Sequence, residues 1–225
     1  MELKPKIMSQ LVFKFPFKTK YFEQDFYVSS NNFSAYKLIE SWPNWPGKWL
    51  NVFGEKGCGK THLSKILEKK INKVKIINEE NIKDFIISEI TKYDCLIIDN
   101  FKNKLDENLF YSVLNQSKQL EKYILINSIE PLNLMKNNLP DLKSRIDSFI
   151  FIGIDLPTDD ILKVIISKFF SDKQVVIDAK LIDYMIKNVE RSYSRILELL
   201  KDIDELSLSS GKSININLIK KVLNK

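Results

Sequence analysis

Alanine occurs only twice in the 225 residues, arginine three times, cysteine twice and histidine once. Two cysteines cannot build a disulfide framework. Cys58 and Cys95 sit in glycine-rich or apolar stretches and read as reduced thiols of a cytoplasmic protein. One histidine and two separated cysteines provide no ligand spacing for a histidine–cysteine metal site. No apolar run approaches the roughly 20 residues a membrane helix needs, so no membrane partner is expected. The N-terminal MELKPKIMSQ lacks the apolar core of a signal peptide, which argues against secretion. The length allows one α/β domain with a small annex and excludes three domains.

Apolar residues make up 44% and charged residues 28%, an ordinary globular balance that excludes a disordered chain. The net charge of +6 invites a nucleic-acid reading. Lysine, asparagine and isoleucine, however, number 32, 19 and 30, a skew typical of AT-rich coding. The lysines are spread and interleaved with acids, so a soluble lysine-rich surface is preferred and any DNA contact is expected to be weak or indirect. The same skew makes Arg145, Arg191 and Arg195 informative. A chain that uses lysine almost everywhere retains arginine where the planar, bidentate fork matters.

Residues 1–20 form a basic tail. Residues 33–40 read as a helix ended by the Pro43 and Pro46 loop. Apolar runs at 48–53, 74–78, 95–99, 123–127 and 149–154 predict strands, and amphipathic segments at 60–71, 80–90 and 106–120 predict helices between them. This alternation implies a five-stranded parallel sheet covered on both faces, in a core spanning 21–156. After Pro157 helix signals follow one another without strands: 158–171, 178–189, about 193–208, and 215–223. Residues 157–225 are therefore expected to form a small all-helical lid domain.

The segment Gly54 to Thr61 (GEKGCGKT) fits G-x-x-x-x-G-K-[ST], directly after a strand and before a helix. Gly54, Gly57 and Gly59 let the backbone curl so that its N–H groups, that of Cys58 among them, face phosphate oxygens. Lys60 should reach the β/γ-phosphates, and Thr61 should ligate Mg²⁺. His62 follows on the first helical turn, where its ring reads as packed rather than as a ligand. CLIID (95–99) supplies the second element, a strand delivering Asp99 toward Mg²⁺. The next residue is Asn100, and an amide holds a water but cannot accept its proton. Intrinsic hydrolysis is therefore expected to be slow, unless another residue such as Glu130 substitutes. Asn127 and Ser128 end a strand at the same sheet edge, beside the expected γ-phosphate.

P-loop, Asp99, a polar strand end, an arginine before the last strand and a second arginine on a helical lid together resemble an AAA+ ATPase. GKTHL (59–63), PDLKSRID (140–147) and YSRILELL (193–200) resemble the ATPase core of DnaA-type replication initiators. DFYVSSNN (25–32) is similar to the segment lining their adenine pocket. The sequence departs from a full initiator: 30 residues follow Arg195, and 16 lie between Asn78 and Cys95, room for neither a helix-turn-helix domain nor the wedge that engages origin DNA. Residues 1–20 are not expected to hold the helicase-interacting domain of an initiator. What remains resembles the short Hda-type regulatory inactivators of DnaA, particularly the α-proteobacterial form with a W-P-x-W-P loop (Trp42, Pro43, Trp45, Pro46).

That resemblance implies a regulator holding ADP or ATP with Mg²⁺ in a set comprising Gly54, Gly57, Cys58, Gly59, Lys60, Thr61, His62 and Asn127. Arg195 would sense the γ-phosphate in its own site, and Arg145 would act in trans as an arginine finger; Arg191 has no assigned role. The partner would be a DnaA-type initiator, with a homodimer possible. QLVFKF has the spacing of a sliding-clamp-binding peptide, with Gln10 at the rim and Leu11, Phe13 and Phe15 among the apolar anchors. Rival readings are a helicase loader, a clamp-loader subunit, a DNA-binding module using the basic tail, and a self-contained ATPase.

Overall fold

The computed structural model describes residues 26–224. Five strands form one parallel sheet: β1 (Trp49–Gly54), β2 (Val74–Asn78), β3 (Cys95–Phe101), β4 (Tyr123–Ser128) and β5 (Ile150–Ile154), in the order β2-β3-β4-β1-β5. Leu50, Ile97, Ile98, Ile124, Leu125 and Ile126 are fully buried, as continuous apolar strands covered on both faces require. Helices α1 (Phe33–Glu40), α2 (Lys60–Lys70), α3 (Phe85–Glu89), α4 (Glu107–Gln119) and α5 (Pro140–Ile146) complete this unit, which ends at Leu156. Phe110 and Val113 of α4 pack with Leu142 and Ile146 of α5 and with Ile98 and Ile126 of the sheet.

Two elements differ from the sequence expectation. The segment expected as one helix over 80–90 is broken into short turns at Glu79–Asn81 and Ile90–Lys92 flanking α3. Ile82, Ile86 and Ile90 are nevertheless all buried, so the four-residue apolar spacing survives where the backbone departs from a helix. Ile82 is extended, and the preceding Glu79 is committed by its side chain to a distant loop. The second difference is α5, a helix in a stretch that reads as merely polar. Pro140 opens it, and its only core anchors are Leu142 and Ile146, one turn apart.

From Pro157 a second unit contains α6 (Asp159–Asp172), α7 (Ala179–Asn188), α8 (Tyr193–Ser210) and α9 (Ile216–Leu223). Side chains of Thr158, Asp178, Ser192 and Asn215 each accept backbone N–H bonds at the helix starts, and Gly211 in a left-handed conformation ends α8. Leu162, Phe170, Met185, Ile196, Leu200 and Ile219 make its separate core. No helix among the described residues is long and apolar enough to cross a membrane.

Candidate functional site

β1 runs into the loop 54–59 and directly into α2, whose start is capped by no side chain. The loop's course depends on glycine at three points, Gly57 having φ 92°. Gly54 has φ 153°, and a Cβ there would meet the Ile154 carbonyl oxygen at 2.8 Å. Gly59 has φ 102° and would bring a Cβ to 3.0 Å from the Phe26 ring. The Lys60 ammonium folds back over this loop, donating to the carbonyls of Gly54 (2.7 Å) and Glu55 (2.9 Å). Uncapped N–H groups at a helix start and an ammonium over a curled backbone make an environment for phosphate.

Strand order places β4 beside β1 and β3 one strand further, and the C-terminal ends of β3 and β4 converge on α2. Thr61 Oγ1 donates to Asp99 Oδ2 at 2.8 Å. Asn127 Nδ2 donates both to Asp99 Oδ1 (2.8 Å) and to Ser64 Oγ (2.7 Å). Asn127 is fully buried, and its Oδ1 has no hydrogen-bond partner among the described residues. Two adjacent ligands of an octahedral Mg²⁺ at about 2.0–2.1 Å lie about 2.8–3.0 Å apart. The Thr61–Asp99 separation fits a shared Mg²⁺, with the remaining positions left to water and phosphate oxygens. Among the described residues no cluster of three or more His, Cys, Asp or Glu forms a metal cage, and Mg²⁺ bound beside phosphates needs none.

Asn100 follows Asp99 at φ 56°, exposed, at a register irregularity between Ile98 and Phe101. The chain beyond it is held by Glu79, a buried carboxylate that accepts the backbone N–H groups of Lys102 (2.8 Å), Lys104 (2.6 Å) and Leu105 (3.0 Å). Next to Gly59, Phe26 stacks on Tyr36 (5.7 Å between centroids) and meets the His62 ring edge-on at 5.2 Å. Of these three rings only Phe26 belongs to the segment 25–32 read as an adenine pocket; Tyr36 comes from α1 and His62 from α2. Burial pushes the thiols of Cys58 and Cys95 upward, so neither is a thiolate at neutral pH.

The three arginines lie in different settings. Arg145, in the last turn of α5, donates from Nη2 to Asn115 Oδ1 at 2.9 Å and lies 5.9 Å from the Tyr111 ring centroid. Arg191 pairs with Asp159 at 2.9 Å, and Arg195 lies near Glu190 and Glu198, all three pairs exposed in the helical unit. Glu130 is exposed, and its backbone carbonyl accepts the Ser128 hydroxyl. Gln10, Leu11, Phe13 and Phe15 lie outside the described residues. Sequence reasoning missed Ser64, Asn51 and Glu79. Ser64 follows Thr61 by three residues, the spacing that shares a helix face. Asn51, buried in mid-β1, donates to Ile126 O and Ser128 Oγ and accepts Leu132 N–H, tying down the chain beyond β4.

A family model described as RNA helicase matches residues 50–153, the stretch from β1 to β5. The chain is 27% identical over 217 residues to the chromosomal replication initiator protein DnaA of Buchnera aphidicola subsp. Cinara cedri (strain Cc), covering 86% of this chain and 49% of that protein. It spans about half the length of the curated DnaA relatives it matches. Domain III of the Thermotoga maritima replication initiation protein DnaA superimposes with a TM-score of 0.75 at 18% identity, over 93% of this chain and 98% of that one. AMPPCP-bound DnaA from Aquifex aeolicus superimposes with a TM-score of 0.66 at 20% identity, over 86% and 67% of the two chains.

Proposed function

We propose that this chain, a DnaA-related AAA+ domain in sequence and fold, is a nucleotide-bound regulator of replication initiation. It holds ADP or ATP with Mg²⁺, docks on the sliding clamp through residues 10–15, and stimulates ATP hydrolysis by a DnaA-type initiator, which prevents re-initiation. The observation that carries this reading is the contrast between Asp99 and Asn100. Asp99 sits 2.8 Å from Thr61 in a geometry that suits Mg²⁺, while the next side chain, where a water-activating carboxylate is wanted, is an amide. Such a site binds nucleotide well and turns it over slowly, which suits a protein that acts on a partner's nucleotide.

In this reading Lys60 and the N–H groups of the loop grip the β- and γ-phosphates, and Thr61 and Asp99 hold Mg²⁺. Asn127, fixed by Asp99 and Ser64, stands at the γ-phosphate side. Phe26, Tyr36 and His62 flank the base. Arg195 reports on the γ-phosphate, and Arg145 enters the initiator's site. Support for an adenine nucleotide comes from the AMPPCP bound by the Aquifex relative.

The test is ATP turnover by a purified DnaA-type initiator in the presence of clamp loaded on DNA. Wild type is expected to accelerate it. An arginine supplied in trans is worth about 10³–10⁵ in rate in other P-loop systems, so Arg145→Ala should abolish most of the gain. Joint replacement Gln10→Ala and Leu11→Ala should abolish it by preventing docking. Absence of stimulation by wild type, or full stimulation by Arg145→Ala, contradicts the proposal.

A further inference from the structure

Arg145 differs from the other two arginines in what holds it. Arg191 faces the carboxylate of Asp159, and Arg195 those of Glu190 and Glu198. Arg145 instead lies against two neutral groups of α4, the Asn115 amide oxygen at 2.9 Å and the Tyr111 ring at 5.9 Å. Tyr111 and Asn115 are four residues apart and so occupy adjacent turns of one helix face. The residue is half-buried, and its Nε is buried with no hydrogen-bond partner among the described residues. An arginine serving only the fold is satisfied most fully by a carboxylate across its fork. Here the guanidinium is oriented while its charge is left unneutralised and its donors are only partly used.

We infer that Asn115 and Tyr111 are positioning residues that aim the Arg145 guanidinium at a phosphate belonging to another subunit. The inference rests on the regulatory reading above. A neutral acceptor and an aromatic face fix the direction of the fork before contact, so less side-chain freedom is lost when the phosphate is gripped. A carboxylate at position 115 would fix the same direction but would compete with the phosphate for the charge. Lysine at 145 would use neither contact well, because a point charge lacks the planar fork.

The experiment measures initiator ATP turnover with clamp-loaded DNA, using the full chain in six forms: wild type, Arg145→Ala, Asn115→Ala, Asn115→Asp, Tyr111→Leu and Tyr111→Phe. ADP affinity and melting temperature are recorded for each. Misaiming a group by about an ångström costs up to about a hundredfold, so Asn115→Ala and Tyr111→Leu are expected to lower the stimulation by roughly tenfold. Tyr111→Phe keeps the ring and should stimulate as wild type does. Asn115→Asp is the discriminating variant. It should melt at or above the wild-type temperature and bind ADP normally, yet stimulate roughly tenfold less because the charge is held. A purely structural contact predicts the reverse, with Asn115→Asp fully active. If Arg145→Ala is inactive while the Asn115 variants match wild type, the positioning role is overturned and the regulatory reading stands. If Arg145→Ala stimulates fully, both fall.

Discussion

Glu79 offers a sharp test of how the strand carrying Asp99 is held. Glu79 is a buried residue, 6% exposed, and three backbone N–H groups from residues 102, 104 and 105 converge on its carboxylate at 2.6–3.0 Å. In Glu79→Ala all three donors lose their acceptor. Each unsatisfied donor costs about 1–3 kcal/mol when buried, and two of the three lie on exposed residues, Lys102 and Lys104, where the lower figure applies, so about 3 kcal/mol in total is expected. At about 2–4 °C per kcal/mol for a chain of this size, the α/β unit should melt roughly 6–12 °C lower. Glu79→Gln retains one acceptor oxygen and turns an NH₂ toward the remaining donor, and so should lose about half as much. Thermal unfolding followed by circular dichroism, read alongside Mg²⁺-dependent ADP binding, measures both effects. A Glu79→Ala protein melting within about 1 °C of wild type would refute the reasoning, because three charge-assisted bonds cannot vanish without cost.

Two further outcomes follow from the site and its surroundings. Glu107 accepts the backbone N–H groups of Asn138 and Leu139, which hold its carboxyl below the ordinary carboxylate value of 4.5. A depressed folded pKa contributes stability above that ordinary value and loses it as pH falls through the folded one. The urea midpoint of wild type should therefore drop more steeply below about pH 4.5 than that of Glu107→Gln; parallel curves would remove this anchor between α4 and the chain ahead of α5. Asn100→Asp should raise the rate of ATP turnover by the chain alone, since aspartate also tolerates the positive φ of 56° and adds a proton acceptor next to Asp99. A wild-type rate already as fast as that of the variant would contradict the role given to the amide.

The sheet was legible because its signal is local. Buried strands of a parallel sheet are continuous apolar runs, and VKIIN, CLIID and YILIN need no partner to be recognised. The glycine pattern at 54–59 was legible for the same reason, since unusual backbone angles require that residue type. What escaped is long-range. Asn127 reaches Asp99 and Ser64, and Glu79 reaches a loop 23–26 residues away, through hydrogen bonds that leave no period in the sequence. Short α5 escaped because two anchors, Leu142 and Ile146, are too few to set a helical rhythm. The 80–90 segment misled in the opposite sense. Its isoleucines at 82, 86 and 90 keep a helical spacing for the core while the backbone between Asn81 and Phe85 is not helical. Hydrophobic rhythm reports burial, and burial alone does not dictate backbone.

The most direct test of the account is calorimetric titration of the full chain with ADP, in Mg²⁺ and in EDTA, for wild type, Lys60→Ala and Asp99→Asn. Hydrogen bonds to charged groups are worth about 1.5–3 kcal/mol, so Lys60→Ala should weaken ADP by roughly 10- to 100-fold. Asp99→Asn should bind ADP in EDTA as wild type does and gain nothing from Mg²⁺. Equal ADP affinity for wild type and Lys60→Ala, with no response to Mg²⁺ in either, would contradict the claim that loop 54–61 and Asp99 form a nucleotide site.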